Sequence, residues 1–229
     1  MATYNGSDVI QKQLKSILKQ LQSDDEVVIT DDNSSDETIK KIKQLDDKRI
    51  KIKKNEVNSG PIKCFEDSLK RSHGDIIFLS DQDDIWADNK VSRVTNIFKQ
   101  DQVKLIIHDA IVENQYGKIL NRSWNDFNQN KFHKGMFSII VKNPFCGAMM
   151  AFKKDILPLV LPFPKTIPMH DVWIGIECER NSIKYKAIPD KLIHYVRRTG
   201  NVTGGAHKPG KMISNRIGLV LALFWEKIK

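Results

Sequence analysis

The sequence predicts an α/β domain with a mostly parallel sheet and helices on both of its faces. Over residues 1–100, helix and strand patterns alternate along the chain, as they do where helices connect parallel strands. The chain has 229 residues, 40% of them hydrophobic and 28% charged, which suits one packed domain and argues against global disorder. We therefore expect a single sheet that is shared by both halves of the chain.

The elements of the first half follow from spacing, caps and turns. Residues 9–21 place their apolar side chains on one helical face and begin the series. A capping box of Ser34 and Glu37 predicts a second helix, and Pro61 suits the first position of a third, which ends near Gly74. The strands are EVVIT (26–30), RIKI (49–52) and DIIFL (75–79), and a last helix over 88–98 carries Val91, Val94, Ile97 and Phe98.

After residue 100 the pattern becomes mixed and the connections become longer. Residues 104–120 predict two strands that are joined by a turn at Tyr116–Gly117. CGAMMAF (146–152) predicts a strand, and HDVWIGIECER (170–180) predicts a helix. We expect these elements to extend the same sheet rather than to form a separate domain.

The chain is basic, with a formal net charge of +9. A solvated basic surface explains this charge, and so does attraction to an anionic membrane, a phosphorylated substrate or nucleic acid. The cysteines Cys64, Cys146 and Cys178 form no CxxC motif, which indicates reduced thiols and a cytosolic location. The polar start MATYNGSD predicts no signal peptide, and no apolar run reaches the length of a membrane span.

The tail carries a run of apolar residues, 217–225, between Arg216 and Lys227. This run is too short to span a bilayer. It fits a helix docked on the domain, a helix that lies in a membrane interface with basic flanks, or a helix that binds a partner. The sequence leaves these alternatives open.

Two acidic segments follow predicted strands. DDNSSD follows the strand over 26–30, and LSDQDDIW (79–86) places Asp81, Asp83 and Asp84 after DIIFL. Because ligands of parallel sheets bind beyond the carboxyl ends of the strands, both segments should face one crevice. Clustered carboxylates repel one another unless a cation compensates, and their oxygen atoms suit Mg²⁺ or Mn²⁺. An Asp-rich N-cap for the following helix is the alternative interpretation.

Four segments together carry a family resemblance: MATYNGS, VVITDDNSSDET, SDQDDIW and, far downstream, HDVWIG. In this order the sequence resembles glycosyltransferase family 2, the inverting GT-A class of sugar-nucleotide-dependent transferases. It is most similar to bacterial enzymes of polysaccharide and O-antigen synthesis, including rhamnosyltransferase-like members. The resemblance implies one GT-A domain over 1–229, with a nucleotide-binding half (1–100), an acceptor and catalytic half (101–205) and a tail helix (206–229).

The resemblance also implies roles for individual residues. Asp83 would bind Mn²⁺ or Mg²⁺ together with Asp81, and Asp171 of HDVW would be the catalytic base, although an acid favoured by a helix N-terminus is the alternative for Asp171. The implied nucleotide-binding residues are Ala2, Thr3, Tyr4, Asp32, Lys63 and Asp81. The implied sugar contacts are Cys146, Gly147, Trp86 and His170, and Arg197 or Arg198 of the RRTGN segment (197–201) would pair with the diphosphate.

This sequence departs from the family in two places. The family normally has a hydrophobic strand before the TYNG segment, and this sequence begins at Met1–Ala2, inside that strand. We therefore expect lower stability than in a version with a few more apolar residues upstream. Thr199 stands where many relatives carry a histidine, so a histidine metal ligand is not supported there.

The leading hypothesis is an inverting glycosyltransferase that moves a sugar from a dTDP- or UDP-sugar to a glycan or lipid-linked glycan acceptor in bacterial cell-surface polysaccharide synthesis. It would act in the cytoplasm, held by its basic surface and tail at the inner face of the membrane. A nucleotidyltransferase is disfavoured because the chain has no Gly-rich phosphate loop after the first strand. A nucleic-acid-binding module would interleave aromatic residues with its cations, and aromatics are only 8%. A catalytically degenerate transferase stays open.

Overall fold

The structure is a computed structural model that describes residues 1–132, 135–198 and 209–225, without the side chains of residues 209 and 225. The strands are β1 (Ala2–Thr3), β2 (Val27–Asp31), β3 (Ile50–Lys54), β4 (Ile76–Phe78), β5 (Ile85–Trp86), β6 (Leu105–Asn114), β7 (Ile119–Asn121), β8 (Met150–Lys153) and β9 (Tyr185–Arg197). The helices are α1 (Ile10–Leu18), α2 (Thr38–Lys43), α3 (Pro61–Lys70), α4 (Lys90–Gln100), α5 (Trp124–Asn128), α6 (Met136–Val141), α7 (Leu157–Val160), α8 (His170–Arg180) and α9 (Pro209–Trp225).

The first three strands form a parallel sheet in the order β1–β2–β3. Ala2 lies opposite Thr30, and Val27 lies opposite Ile50. All of β2 is buried, because it is the central strand and α3 packs against it and against β1. The alternation of helices and strands that the sequence predicts for this half is confirmed, including Pro61 in the first turn of α3.

The remaining strands form a second sheet in the order β4–β8–β6–β9–β5, with β7 paired to β6. β6 and β9 run parallel, and the other described pairs are antiparallel. The α/β class is confirmed, but the prediction of one mostly parallel sheet needs correction. β1 contributes only two residues, which pair with β2, and β4 takes its hydrogen-bonding neighbour from β8 in the second half.

A groove of about 740 Å³ lies between β2 and β4. Val27 and Val28 form one wall, Ile76 and Ile77 form the other, and Met1 also lines it. The amino group of Met1 donates to the carbonyl of Val28 (2.8 Å), and burial lowers the pKa of this amino group to about 5. The groove therefore separates the strands that lead to the two acidic segments.

Two local predictions need correction. The second helix begins at Thr38 instead of after a capping box, because the Ser34 hydroxyl donates to Asp31 (2.6 Å) and Asp36 accepts the Thr38 N–H (3.0 Å). The strand expected over 146–152 begins only at Met150, because residues 147–149 form a 3₁₀ turn against the start of α8. The sequence patterns also did not indicate β5 or β9.

Helix α9 packs against the domain on one side. A Cβ atom added to Gly218 would lie 2.3 Å from the carbonyl oxygen of Thr166, so the helix approaches the backbone closely there. Leu219 and Ala222 are buried, and Arg216 donates to the Val141 carbonyl (2.8 Å). The docked alternative thus describes residues 209–225, while residues 206–208 and 226–229 of the expected tail lie outside the described residues.

Within the described part of the chain, no helix combines the length and the apolar character that crossing a membrane requires.

Candidate active site

Two acidic loops lie at the carboxyl ends of strands. We call residues 31–36 the first acidic loop and residues 80–84 the second acidic loop. Tyr4, just after β1, exchanges two hydrogen bonds with Gln82: its N–H donates to Gln82 Oε1 (2.9 Å), and Gln82 Nε2 donates to its carbonyl (3.1 Å). The N–H of the next residue, Asn5, donates to Ser34 Oγ (2.9 Å). The segment after β1 therefore contacts both loops and brings them to one crevice.

The carboxylates of the first acidic loop are surrounded by neutral donors. Asp31, fully buried, accepts hydrogen bonds from Thr3 Oγ1 (2.9 Å) and from both the N–H (2.8 Å) and the hydroxyl (2.6 Å) of Ser34. Asp32 accepts the backbone N–H groups of Ser59 (2.7 Å) and Gly60 (2.8 Å). Donors of this kind stabilise the charged form of a buried carboxylate, so this loop is complete without a cation.

The second acidic loop has fewer compensating groups. Asp84 is buried, and its Oδ1 accepts the Val196 N–H (3.3 Å), while its Oδ2 has no hydrogen-bond partner among the described residues. Removal from water raises the pKa of Asp81 to about 7, and the charges of Asp83 and Asp171 add to this shift. Removal from water also raises the pKa of Asp83, and it raises that of Asp84 well above the usual range. The loop therefore holds more negative potential than its own surroundings compensate.

The second acidic loop fits a divalent cation of the Mg²⁺ or Mn²⁺ type. Its donors are carboxylate oxygens, which these hard ions prefer, and the buried Asp84 Oδ2 has no hydrogen-bond partner among the described residues. Among the described residues, no group of three or more Asp, Glu, His or Cys side chains is placed to hold a metal by itself. Mg²⁺ is usually held in proteins by one or two carboxylates, with water and substrate phosphate completing its shell.

Asp171 lies in the first turn of α8 and is almost fully buried. Its Oδ1 accepts the Val172 N–H (2.6 Å), and its Oδ2 accepts the Gly147 N–H (3.2 Å). Burial raises the pKa of Asp171 to about 6, and these hydrogen bonds counteract part of that rise. A carboxylate with this pKa is mostly ionised at neutral pH and is still basic enough to accept a proton.

The turn before β8 lies near both Asp171 and the second acidic loop. Burial raises the pKa of the Cys146 thiol well above its usual range, and the nearby charges of Asp171 and Asp81 raise it further. A Cβ atom on Gly147 would lie 2.7 Å from His170 Nε2, so this turn packs directly on the start of α8. Cys146 and Gly147, where the resemblance expects the sugar, therefore lie near Asp171, and Cys146 also lies near the second acidic loop.

Two of the expected sugar contacts lie in the core. Trp86 is buried, and the Lys90 ammonium lies 4.2 Å from the centroid of its ring. His170 stacks on Phe65 at 3.9 Å between ring centroids, and burial lowers its pKa to about 3, so its imidazole is neutral. The burial of both rings argues against direct contact with a sugar and favours a supporting position beneath the site.

The expected nucleotide-binding residues of the N-terminal segment lie in β1 and directly after it, and Lys63 lies in α3. Ala2 is partly exposed, Thr3 is buried, and Tyr4 is half exposed at the mouth of the crevice. Lys63, in the first turn of α3, forms an ion pair with Glu66 (3.2 Å) and is largely exposed. The structure thus brings Tyr4 to the second acidic loop and Thr3 to the first, and it leaves Lys63 on the helix surface.

The two arginines at the end of β9 point in different directions. Arg198 Nε lies 4.0 Å from Asp83 Oδ2. The guanidinium of Arg197 lies 5.2 Å from the centroid of the Phe127 ring. Residues 199–201, the rest of the segment that the resemblance expects to pair with the diphosphate, lie outside the described residues. They include Thr199, which stands where many relatives carry a histidine.

Sequence patterns missed two residues that organise the site. Gln82 is the central residue of D-x-D, and its side chain joins the second acidic loop to Tyr4. Lys90 is fully buried beneath that loop, and its ammonium donates to the carbonyl of Ala148 (2.9 Å). A lysine is usually expected on the surface. The sequence contains one indication that Lys90 is buried, which is its position at the start of a helix that has a buried face.

Comparison with known proteins agrees with this arrangement. Residues 1–158 match the family described as Glycosyl transferase family 2. Over 222 residues the chain is 28% identical to a GalNAc(5)-diNAcBac-PP-undecaprenol beta-1,3-glucosyltransferase of Campylobacter jejuni, which covers 90% of this chain and 66% of that protein. The chain spans 62% and 42% of the length of two other curated relatives, and so corresponds to part of their length.

Two solved structures have similar folds. The first is S. aureus TarS 1–349 in complex with UDP-GlcNAc, with a TM-score of 0.72 and 19% identity over 96% of this chain and 64% of that chain. The second is the mannosyltransferase PcManGT of Pyrobaculum calidifontis in complex with GDP-Man and Mn²⁺, with a TM-score of 0.64 and 16% identity over 88% of this chain and 56% of that chain. At these identities the likeness shows a shared fold.

Proposed function

The chain belongs to glycosyltransferase family 2, and from this premise we propose that it transfers a sugar from a nucleoside diphosphate to a hydroxyl group of a glycan or lipid-linked glycan, with inversion at the anomeric carbon. The undecaprenol-linked substrate in the name of the Campylobacter jejuni relative supports this acceptor class. The UDP-GlcNAc and GDP-Man complexes of the similar structures support the donor class.

One observation carries the proposal: Asp171 and the second acidic loop belong to different halves of the chain and lie near each other and near Cys146. Asp171 is close enough to raise the pKa of Asp81, and both raise that of the Cys146 thiol. An inverting transfer needs a base on one side of the reacting carbon and stabilisation of the leaving diphosphate on the other. The closeness of Asp171 to the second acidic loop supports the assignment of these two roles.

We assign Asp83 and Asp81 as the residues that hold Mn²⁺ or Mg²⁺, for which the Mn²⁺ in the similar mannosyltransferase structure is a precedent. A bound divalent cation stabilises the negative charge that develops on the departing diphosphate. Asp171 removes the proton of the acceptor hydroxyl while the acceptor oxygen bonds to the anomeric carbon. The bond from that carbon to the diphosphate oxygen breaks, the nucleoside diphosphate leaves with the electron pair, and the proton stays on Asp171 until solvent removes it.

Calorimetry tests this proposal. The unmodified protein is titrated with UDP and with dTDP, each with and without Mn²⁺. The same titrations are then repeated with the variants Asp83→Asn and Asp88→Asn. Asp88 is the matched control because it carries the same carboxylate close by in sequence, 84% exposed and paired only with Lys19 among the described contacts. We expect Mn²⁺-dependent binding of one nucleotide that Asp83→Asn removes and Asp88→Asn preserves. Binding of neither nucleotide, or equal binding by all three proteins, contradicts the proposal.

We also propose that α9 holds the enzyme at the inner face of an anionic membrane. Its outward side and the adjacent α6 expose a group of apolar residues, which we call the apolar face: Phe137, Val141, Met212, Ile213, Ile217, Val220, Leu221 and Phe224. Lys142, Lys211 and Arg216 lie on the same two elements or next to them. An apolar surface with basic neighbours suits the headgroup region of an anionic bilayer, and a lipid-linked acceptor is found there.

Vesicle flotation tests the membrane proposal. We expect binding to vesicles that contain phosphatidylglycerol and little binding to vesicles of phosphatidylcholine alone. Ile213→Glu with Ile217→Glu should abolish binding, since both side chains are more than half exposed on the apolar face. Val57→Glu is the control, because Val57 is equally apolar and exposed but lies far from α9 in the chain. Equal flotation of all variants contradicts this proposal without affecting the nucleotide-binding proposal.

A further inference from the structure

Lys90 occupies an unusual position for a cation. It is the first residue of α4, and its side chain is fully buried. The N-terminus of a helix carries partial positive charge, so a lysine is electrostatically disfavoured there. Burial of an ammonium group adds a large desolvation cost. Two unfavourable terms at one residue indicate that specific partners hold the ammonium in place.

The partners of Lys90 come from both sides of the candidate active site. Its Nζ donates to the carbonyl of Ala148 (2.9 Å) and lies above the Trp86 ring. Burial lowers the pKa of Lys90 to about 7, and the nearby carboxylates of Asp84 and Asp81 counteract part of that shift. Asp84 keeps an unpaired, buried Oδ2 among the described residues. The ammonium therefore lies near both the second acidic loop and the turn of residues 147–149, which contacts Asp171.

That turn is short, so its orientation depends on few contacts. Residues 147–149 form a single 3₁₀ turn, and the first of them, Gly147, gives its N–H to Asp171. The carbonyl of the second, Ala148, accepts from Lys90. The two groups belong to peptide units that are separated by one other unit, and both lie within the single 3₁₀ turn, so a rotation of the whole turn would move both.

We propose that Lys90 is a positioning residue for Asp171: by holding the Ala148 carbonyl beside the second acidic loop, it keeps the Gly147 N–H directed at the carboxylate. The proposal rests on the role of Asp171 given under the proposed function. According to this proposal, Lys90 fixes the position of Asp171 relative to the second acidic loop, although Asp171 and this loop lie far apart in the sequence. Lys90 acts through the turn and touches no reacting atom.

The cysteines allow a test that needs neither donor nor acceptor. Cys146 directly precedes the turn and is partly exposed, whereas Cys64 and Cys178 are buried in the core. Labelling with a thiol reagent, followed by mass spectrometry, gives a rate for each cysteine. In Lys90→Met, which keeps the stem and removes the charge, we expect Cys146 to react about tenfold faster while the rates of the other two stay unchanged. Lys99→Met, at the exposed end of the same helix, is the matched control and should change none of them.

A second readout separates the turn from the helix. The Gly147 and Val172 amides both donate to Asp171, but only Gly147 belongs to the turn. In Lys90→Met the Gly147 amide should exchange its proton about tenfold faster, with little change at Val172. Equal acceleration of all three cysteines or of both amides would mean that Lys90 only supports general packing, and no acceleration would mean that it holds nothing. Either result overturns the proposal.

If Lys90→Met does not fold, the double variant Lys90→Met with Asp84→Asn removes both buried charges and is measured in the same way. If this variant also does not fold, the unmodified chain decides. A bound, shielded ammonium group gives a ¹H–¹⁵N signal at mildly acidic pH, and absence of this signal for Lys90 overturns the proposal. Failure of nucleotide binding would refute the proposed function, but the labelling and exchange results would still decide whether Lys90 holds the turn.

Discussion

The first and second acidic loops resemble each other in sequence and differ in what surrounds their carboxylates. In the first, Asp31 and Asp32 accept hydrogen bonds from hydroxyl and backbone N–H groups. In the second, Asp84 Oδ2 is unpaired among the described residues, and Asp83 has the guanidinium of Arg198 only at 4.0 Å. Both loops follow strands and both contact the segment after β1.

The difference shows that clustered carboxylates serve two purposes in one fold. Neutral donors make the first loop a rigid internal part that is complete when the chain folds. The second loop, with fewer hydrogen bonds to its carboxylates, is the place where we propose that a cation and a diphosphate bind. Substitutions in the first loop should therefore act on stability, and substitutions in the second should act on binding and catalysis.

The largest effect is expected in the second loop. Asp81→Asn should lower the rate of sugar transfer about a thousandfold, a size typical of losing a group that stabilises transition-state charge. Its melting temperature without metal should stay equal or rise, because the change removes repulsion from Asp83 and Asp171. Release of nucleoside diphosphate, from the donor that calorimetry identifies, measures the rate, and Asp88→Asn is the control. A lowered melting temperature would break the distinction between the loops.

The first loop should show the opposite pattern. Asp31→Ala leaves the Thr3 hydroxyl and both donors of Ser34 without their buried acceptor. We expect a loss of about 2–4 kcal/mol in the free energy of unfolding, measured by denaturant titration. Asp24→Ala, at an exposed position, should change stability by less than about 0.5 kcal/mol. A stable Asp31→Ala protein without activity would contradict a structural role for this loop.

A smaller effect is expected from adding a strand segment that fills the groove between β2 and β4, the strands that lead to the two acidic loops. A few apolar, β-branched residues added before Met1 could lie in the groove between β2 and β4 and bury their side chains there. We expect a gain of about 1–2 kcal/mol in the free energy of unfolding, since burial is partly offset by the ordering of the added backbone. An added segment of equal length made of Ser and Lys is the control. Equal melting temperatures would show that the groove does not accept a strand.

The smallest effect concerns pH. Burial raises the folded-state pKa of Asp171 to about 6, so its contribution to stability is complete below the ordinary pKa of Asp and is lost as pH rises through about 6. Without metal, the melting temperature should therefore fall by a few degrees between about pH 4 and pH 7. Asp171→Asn should remove part of this fall, and a fall of unchanged size would contradict it.

Asp36 in the first loop should act in the opposite direction. Slight burial opposes the shift, but hydrogen bonds from Thr38 and Ser7 lower its pKa to about 2. Its contribution is present above the ordinary pKa of Asp and is lost only as pH falls through about 2. Asp36→Asn should therefore change the acid side of the stability profile and leave the decline near neutral pH unaltered.

Local patterns predicted local features well. The positions of α8 and of Pro61 at the start of α3 follow from periodicity and from the fixed geometry of proline. The family assignment followed from four ordered segments. The D-x-D pair of Asp81 and Asp83 could be recognised in the sequence because several acidic residues directly after an apolar strand are unusual.

Features that depend on distant partners could not be predicted in this way. The pairing of β4 with β8 joins segments from the two halves of the chain, and no local pattern records that choice. Lysine is almost never fully buried, yet Lys90 is, with its ammonium over the buried Trp86 ring and bonded to the distant Ala148 carbonyl. The 3₁₀ turn at Gly147 follows from the closeness of His170, which only the folded chain establishes.

The contact between Arg198 and Asp83 has a consequence for the order in which substrates assemble. A free metal ion reaches a carboxylate that already has a positively charged neighbour, and the two cations repel each other. A metal that arrives bound to a nucleotide brings phosphate groups with which the Arg198 guanidinium can pair. The metal can then replace the guanidinium beside Asp83, and neither the carboxylate nor the guanidinium is left unpaired. Metal and nucleotide should therefore bind as a single complex, with each tightening the affinity of the enzyme for the other.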